Sequence, residues 1–198
     1  MPADEDTEQY RLIRRVLRVN HAGEHGAISI YNAQIRAAQS RCPALTPWLL
    51  DTLGHECRHR DAFLAAMPDR NAKPCRAMFV WALGGNALGF VTALFGQYGI
   101  MVCTAAVERT VHQHLDEQIE YLSGRDAELA TLIQTVKKDE DSHLAYAEAH
   151  HNPHSFSARV LAGIVALATE MLIWISTRGD SLRLRASLQA ATLHPRPR

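Results

Sequence analysis

Two copies of the pattern Glu-x-x-His constrain this chain of 198 residues more than any other feature of its sequence. Glu56 and His59 form the first copy, and Glu140 and His143 form the second. Residues three apart on an α-helix lie on one face, with Cβ atoms about 5–6 Å apart, so each pair can bind one metal ion. The two patterns therefore predict helices that carry metal ligands.

A single glutamate precedes each copy at the same distance. Glu24 lies 32 residues before Glu56, and Glu108 lies 32 residues before Glu140. A helix rises about 1.5 Å per residue. An interval of 32 residues can therefore run about 13 residues up one helix, turn in a short loop and run about 13 residues down the next, which places its two ends side by side. The equal intervals predict two helical hairpins with the same arrangement of ligands.

Apolar periodicity, interrupted by proline and glycine, divides the chain into helices. The first hairpin is predicted from helices at 10–39 and 48–68, and the second from helices at 108–122 and 127–150. A polar break then leads into an apolar helix at 160–177. Helices account for every long periodic segment, so the chain is predicted to be all-α.

The segment between the two hairpins is long and carries no charged residue from 77 to 107. His59 and Glu108 are 49 residues apart, which suits the crossover that ferritin-like bundles place between two hairpins. We therefore predict a ferritin-like four-helix bundle with a long apolar crossover and an additional C-terminal helix. The predicted parts are a disordered N-terminus at 1–9, a ferritin-like di-iron domain at 10–178 that includes apolar segments 77–107 and 160–177, and a flexible C-terminal tail at 179–198.

Four carboxylates and two imidazoles make up the predicted metal site. Bundles of this kind bind two iron or manganese ions with one Glu from each of two helices and Glu-x-x-His from each of the other two. This donor set favours iron or manganese over the thiolate-rich sites of structural zinc. Four buried glutamates would otherwise repel one another, lose hydration and take up protons. The predicted ligands are Glu24, Glu56, His59, Glu108, Glu140 and His143.

Two other functions remain open from the residues alone. His55, Glu56 and His59 form His-Glu-x-x-His, the pattern of a zinc peptidase in which the glutamate is the general base. This alternative leaves Glu24, Glu108 and the second Glu-x-x-His without a role. A ferritin-like iron store or peroxidase would use the same ligands, but the long apolar segments argue against the soluble surface of a cage.

Charge and cysteine content exclude several classes of protein. The 21 Lys and Arg residues balance the 21 Asp and Glu residues, so the chain lacks the basic surface by which proteins bind nucleic acid. Four cysteines without a CxxC pair do not indicate a disulfide framework and fit a reducing cytoplasm. The acidic N-terminus is the reverse of a signal peptide, so export is not expected.

Several short strings extend the resemblance beyond ligand spacing. The chain reads Arg-Val-Asn-His-Ala-Gly-Glu at 18–24, Ile-Tyr at 30–31, Ala-Ala-Val-Glu at 105–108 and Asp-Glu-x-x-His at 139–143. In these strings it resembles the demethoxyubiquinone hydroxylase family of ubiquinone biosynthesis over roughly residues 10–178. The resemblance implies a di-iron monooxygenase that uses O₂ to hydroxylate the ring of a polyprenylated methoxy-benzoquinol, demethoxyubiquinol.

The resemblance also implies roles for individual residues. His59 and His143 would each hold one iron, Glu24 and Glu108 would be terminal ligands, and Glu56 and Glu140 would bridge the two ions. Tyr31, seven residues after Glu24, and Asp139, directly before Glu140, would hydrogen-bond the ligands. His114 has two readings, a histidine in electron delivery or, as we prefer, a solvated helix-face histidine.

The expected partners follow from a lipid-dissolved substrate. The apolar segments 77–107 and 160–177 are interpreted mainly as surfaces that lie on a membrane. Burial in a core, an oligomer contact and a true span are the alternatives. The implied partners are the lipophilic quinol, the membrane surface and an accessory ubiquinone-biosynthesis protein. The expected location is peripheral, on the cytoplasmic face of the inner or plasma membrane. Electrons from NADH, if it is the donor, would need a separate route, since the glycines form no dinucleotide-binding motif.

Overall fold

The computed structural model describes residues 2–177 and residue 186, and in this part of the chain all regular structure is helical. The prediction of an all-α bundle is confirmed. Short 3₁₀ turns at Pro43–Leu45 and Pro68–Arg70 flank the second helix. The helices are α1 (Pro2–Arg41), α2 (Thr46–Ala65), α3 (Met78–Ala93), α4 (Gly96–Leu122), α5 (Ala127–Ala149) and α6 (Phe156–Thr177).

Four of these helices form the bundle. Helices α1 and α2 pack together as one hairpin, α4 and α5 pack together as the other, and α1 contacts α4 while α2 contacts α5. One apolar cluster includes Leu17, Phe63 and Ile133, and a second includes Leu49 and Ile100. In each helix the predicted ligands fall between the residues of these two clusters, so a polar layer separates two apolar halves of the core.

The uncharged run at 77–107 is bent into two helices instead of forming one. Helix α3 ends at Ala93, and α4 begins at Gly96, twelve residues before the predicted start at Glu108. Gly96 has φ of +64°, a left-handed conformation that only glycine adopts at little cost. The sequence pattern missed this bend because the run is apolar on all sides and carries no amphipathic period.

Helix α3 crosses between the hairpins by lying close against α1. A Cβ atom at Gly85 would collide with the backbone oxygen of Gly26, and one at Gly89 would collide with that of Ile30. These two glycines form the Gly-x-x-x-Gly spacing that lets helix backbones approach closely. The close approach fixes α3 beside the part of α1 that carries Glu24.

Helix α6 covers α4 and also contacts α3. Val165 packs in a buried cluster with Cys103 and Ala106 of α4, and Leu172 reaches Gly84 of α3. Among the described residues, one helical segment, Phe156–Trp174, is long and apolar enough to cross a membrane by length and composition, and 22% of the most apolar stretch is buried. This is weak evidence for a span, because core helices pass the same test.

The chain ends differ from the predicted domain bounds at one side. Helix α1 begins at Pro2, so the segment 1–9, predicted to be a disordered N-terminus, is helical from its second residue. Acidic residues such as Asp4 and Glu5 are favourable near a helix N-terminus, which the apolar periodicity alone does not register. The predicted flexible tail, 179–198, lies outside the described residues except for residue 186.

Candidate metal centre

All six predicted ligands meet in the polar layer of the bundle. Helix α1 supplies Glu24, α2 supplies Glu56 and His59, α4 supplies Glu108, and α5 supplies Glu140 and His143, each of them buried. Their donor atoms form two groups, and within a group every donor atom lies within 4.8 Å of the others. The first group is Glu24, Glu56, His59 and Glu140, and the second is Glu56, Glu108, Glu140 and His143.

Glu56 and Glu140 belong to both groups, so they occupy positions from which a carboxylate can bridge two ions. Each group takes three of its members from one hairpin and the fourth from the other hairpin. Neither hairpin contains a complete group. The 32-residue intervals of the sequence thus place equivalent ligands opposite one another across the bundle.

The two histidines present the same nitrogen to the carboxylates. His59 Nδ1 lies 3.0 Å from Glu140 Oε1, and His143 Nδ1 lies 3.0 Å from Glu140 Oε2. Glu56 Oε1 is buried without a hydrogen-bond partner among the described residues, and His143 Nδ1 lies 3.4 Å from it. A buried carboxylate oxygen with no partner is a position that a cation can satisfy.

Burial among like charges shifts the protonation of the cluster. Burial and the neighbouring carboxylates raise the pKa of Glu24 to about 7 and the pKa values of Glu56 and Glu108 well above their ordinary range. Burial opposes ionisation of Glu140 too, but hydrogen bonds from His143 and His59 outweigh it and lower its pKa. Without cations, the cluster therefore holds protons that metal ions would displace.

The far nitrogen of each histidine has a different kind of partner. His59 Nε2 lies 3.0 Å from Asp139 Oδ2, whereas His143 Nε2 lies 2.9 Å from Nδ1 of His55. His55 directly precedes Glu56, as Asp139 directly precedes Glu140. The sequence analysis considered His55 only as part of His-Glu-x-x-His and did not predict this contact. The equivalence of positions 55 and 139 in the two hairpins was the signal for it.

Tyr31 and Asp139, the two residues expected beside the ligands, both contact ligands of the other hairpin. The Tyr31 hydroxyl donates to Glu108 Oε1 at 3.2 Å. Tyr31 itself lies on α1, seven residues after Glu24. The contact of Asp139 with His59 likewise joins α5 to α2. Such contacts orient a ligand and tune its basicity.

The remaining candidate histidine, His114, lies apart from the ligands. Its Nε2 is 3.5 Å from Glu170 Oε1 of α6, and its side chain is 22% exposed. It lines a cavity whose wall also includes predicted metal ligands.

A cavity of about 350 Å³ reaches the buried carboxylates from one side. Its walls come mainly from apolar side chains of α1, α3, α4 and α6, and its lining includes Glu24, Glu56, Glu108 and Glu140. Sites for small molecules have this size and this mixture of apolar walls with a few convergent polar groups. Representative wall residues are Ile30, Trp81, Leu88, Val111, Leu172 and Ile173.

A buried amide pair in the cavity wall was not singled out from the sequence. Asn20 Nδ2 donates to Gln118 Oε1 at 2.8 Å, and Gln118 Nε2 donates back to Asn20 Oδ1 at 3.2 Å. Asn20 lies four residues before Glu24 and so shares its helix face, which was a usable signal. Gln118 carried no such signal, because its partner is 98 residues away.

Comparison with known proteins agrees with this arrangement. The model of the family described as ubiquinone biosynthesis protein COQ7 matches residues 11–176. A similar protein from Rhodospirillum rubrum, 3-demethoxyubiquinol 3-hydroxylase, is 34% identical over 175 residues, which cover 87% of this chain and 81% of the relative.

Two eukaryotic relatives give the same result. The human NADPH-dependent 3-demethoxyubiquinone 3-hydroxylase, mitochondrial, is 33% identical over 170 residues, covering 84% of this chain and 77% of the relative. The Saccharomyces cerevisiae 5-demethoxyubiquinone hydroxylase, mitochondrial, is 29% identical over 185 residues, covering 86% and 79%. Since the family model matches residues 11–176, well over half of the chain, this chain belongs to the ubiquinone biosynthesis protein COQ7 family.

Proposed function

We propose that this protein is a di-iron monooxygenase that hydroxylates the ring of a polyprenylated methoxy-benzoquinol, demethoxyubiquinol, in ubiquinone biosynthesis. The observation that carries the proposal is an apolar cavity whose lining includes four buried glutamates of a six-residue cluster. The printed names of the relatives, which are demethoxyubiquinol or demethoxyubiquinone hydroxylases, support the same substrate.

The donor set fits two iron ions. His59 and Glu24 would hold one ion, His143 and Glu108 would hold the other, and Glu56 and Glu140 would be shared. Imidazole and carboxylate ligands suit iron, and the unpartnered Glu56 Oε1 is a natural ligand atom. When bound, the two irons would supply the activation of O₂. The protein would supply the cage, the protonation balance and the orientation of each ligand.

The cavity walls would position the quinol ring and keep water away. An apolar pocket next to charged groups excludes competing hydrolysis and strengthens the interactions of polar groups within it. Trp81 lines the cavity, and its buried Nε1 has no hydrogen-bond partner among the described residues. The prenyl chain would leave along the apolar side chains of α3 and α6.

We further propose that the outer faces of α3 and α6 lie on a membrane surface. Large apolar side chains on both helices are exposed, for example Leu83 at 72% on α3 and Leu167 at 62% on α6. The two helices also line the cavity, so a quinol in lipid would reach it without crossing water. Because α6 is tied to α4 through Val165, we favour a peripheral position over a span. In a bacterial cell this would be the cytoplasmic face of the inner or plasma membrane.

Membrane binding can be tested by flotation with liposomes. Leu83→Glu and Leu167→Glu are expected to reduce the bound fraction, because each places a charge on the proposed contact face. Leu50→Glu is the matched control, since Leu50 is 53% exposed on α2, away from both helices. Equal binding of all variants would contradict the peripheral assignment.

Hydroxylation places one atom of O₂ in the product, and two further electrons are needed to reduce the other atom to water. We propose a reduced nicotinamide nucleotide as their source. NADH is the donor considered in the sequence analysis, and the human relative is named NADPH-dependent. An accessory ubiquinone-biosynthesis protein is proposed as a partner for substrate delivery.

The function is tested by metal content and by O₂-dependent conversion of demethoxyubiquinol with purified protein. Two irons per chain and a hydroxylated product are expected, and both should be lost in Glu108→Ala and His143→Ala. Glu120→Ala and His154→Ala are matched controls, because both side chains are exposed outside the cluster. Iron oxidation without quinol conversion would favour the iron store or peroxidase. One zinc per chain with unaffected variants would favour the peptidase.

A further inference from the structure

A row of aromatic side chains connects the metal centre to the protein surface. The Tyr31 ring meets the Trp48 ring edge to face, with centroids 6.5 Å apart and an angle of 79°. Trp48 stacks on Tyr146 at 4.4 Å, and Tyr146 stacks on His150 at 4.0 Å. Because the Tyr31 hydroxyl donates to Glu108, the row begins at a predicted metal ligand.

The row runs from a buried residue at one end to an exposed residue at the other. Tyr31 is buried at 3%, Trp48 and Tyr146 are half-buried, and His150 is exposed. The three oxidisable rings come from α1, α2 and α5, so packing between helices, and not a local motif, brings them together. None of the three lines the large cavity at the carboxylates. The row therefore leaves the metal centre by a path separate from the substrate cavity.

Tyrosine and tryptophan are among the side chains that lose one electron most easily, and transfer between them is fast only when the rings are close. Aromatic pairs in proteins commonly have ring centroids about 4.5–7 Å apart. The Tyr31–Trp48 pair lies in this range, and the two stacked pairs are slightly closer. The hydroxyl proton of Tyr31 is directed at Glu108 in a hydrogen bond of 3.2 Å. Glu108 can accept that proton through the existing hydrogen bond when Tyr31 is oxidised.

We propose that Tyr31, Trp48 and Tyr146 carry single electrons from the surface to the metal centre when O₂ reacts there without a quinol substrate. This inference rests on the proposed function. Tyr31 gives one electron to the oxidised centre and its proton to Glu108. Trp48 then gives one electron to the Tyr31 radical, which takes its proton back. Tyr146 reduces the Trp48 radical cation and releases its proton to water, and a soluble thiol or ascorbate finally reduces the Tyr146 radical.

The route exists on one side of the centre. The position equivalent to Tyr31 in the second hairpin, seven residues after Glu108, is Leu115, which cannot be oxidised in this way. An unused oxidising equivalent would thus leave by way of Tyr31 instead of attacking ligands or cavity walls. The row would protect the enzyme in the absence of substrate.

The first experiment exposes the Fe(II)-loaded protein to O₂ without quinol in the presence of a nitroso spin trap, and maps adducts by peptide mass spectrometry. Wild-type protein should carry the adduct at Tyr146. Trp48→Phe should lose it, because phenylalanine keeps the ring but is not oxidised, whereas Trp48→Tyr should restore it. Tyr98→Phe is the control, since Tyr98 bonds to Ser155 and Ser157 outside the row. An unchanged adduct in Trp48→Phe would overturn the proposal.

A second experiment does not depend on iron. Azide radicals produced by pulse radiolysis oxidise tryptophan in the metal-free protein, and time-resolved absorption follows transfer from the tryptophan radical to tyrosine. A fast transfer phase is expected in wild-type protein and its loss in Tyr146→Phe, with Tyr98→Phe unchanged. Persistence of the fast phase in Tyr146→Phe would contradict the route. A fast phase without iron binding or hydroxylation would mean that the proposed function has failed while the transfer path stands.

Discussion

Nδ1 of His55 lies 2.9 Å from Nε2 of His143, and the two imidazole rings stack with centroids 5.1 Å apart. If His143 binds metal through Nδ1, its Nε2–H donates to His55 Nδ1, which must then be unprotonated. Asp139, which contacts His59 in the same way, offers a carboxyl oxygen instead of an imidazole nitrogen. The two imidazole ligands are therefore supported unequally, and His59 has the more strongly polarising partner.

His55→Ala should weaken the site that contains His143 more than the site that contains His59. Removing a partner that orients a ligand commonly costs about 10–100-fold in metal affinity. Asp139→Asn should instead weaken the site that contains His59 more than the site that contains His143. Anaerobic titration with Mn²⁺ followed by electron paramagnetic resonance counts the two sites separately. His154→Ala is the control, and an equal loss at both sites in His55→Ala would contradict the expected inequality.

Metal-free protein should become less stable as pH rises from about 5 to 9. The folded pKa of Glu24 is about 7 and those of Glu56 and Glu108 are also raised, so the folded state binds more protons than the unfolded state above about pH 4.5. Burial lowers the pKa of His59, but Glu140 and other carboxylates outweigh it and raise it to about 9, so its contribution is lost between about 6.5 and 9.

The measurement is the thermal unfolding midpoint against pH, with and without Mn²⁺. The metal-free midpoint should fall across this range, whereas saturating metal should remove or reverse the trend, because ligand binding requires deprotonated carboxylates. Glu24→Gln should reduce the slope. A midpoint that rises with pH in the metal-free protein would show that the carboxylates are ionised in its folded state.

The hydrogen-bonded pair of Asn20 and Gln118 should stabilise the folded protein although it lies in the wall of the cavity. Either Asn20→Ala or Gln118→Ala leaves a buried amide without its partner, with an expected cost of about 1–3 kcal/mol in the free energy of unfolding. The double variant should cost less than the two single variants together, because no orphaned amide remains. Urea denaturation measures all three. Additive costs would indicate that the two amides act independently.

Arg70 joins the ends of the two hairpins and should be a second stability determinant. Its guanidinium donates to both oxygens of Asp126, at 2.6 and 2.9 Å, and Asp126 also caps α5 by accepting from the Leu129 N–H. Arg70→Ala is expected to lower the free energy of unfolding by about 1–3 kcal/mol, since hydrogen bonds to charged groups are the stronger ones.

Lys138→Ala, which removes the same charge from an exposed position on α5, is the control for Arg70→Ala. Thermal unfolding of the two variants gives the comparison. Equal midpoints would show that the contact between Arg70 and Asp126 contributes nothing beyond net charge.

The sequence predicted the helices of both hairpins and the positions at which the ligands meet, because these depend on periodicity and spacing within one hairpin. It did not predict the bend at Gly96, since an all-apolar run has no period from which to read a boundary. Nor did it predict the contact between His55 and His143, or the amide pair of Asn20 and Gln118. These depend on which faces of different helices are neighbours, which no local pattern records.

Each group of donor atoms takes three members from one hairpin and one from the other, so neither hairpin can complete a group while it folds alone. Each hairpin closes a short loop and can form early from contacts that are local in sequence. A complete coordination sphere appears only after the crossover has been closed and the two hairpins have docked. Metal ions should therefore bind tightly late in refolding and slow unfolding by holding the hairpins together, so that chelation would release the docked state before either hairpin melts.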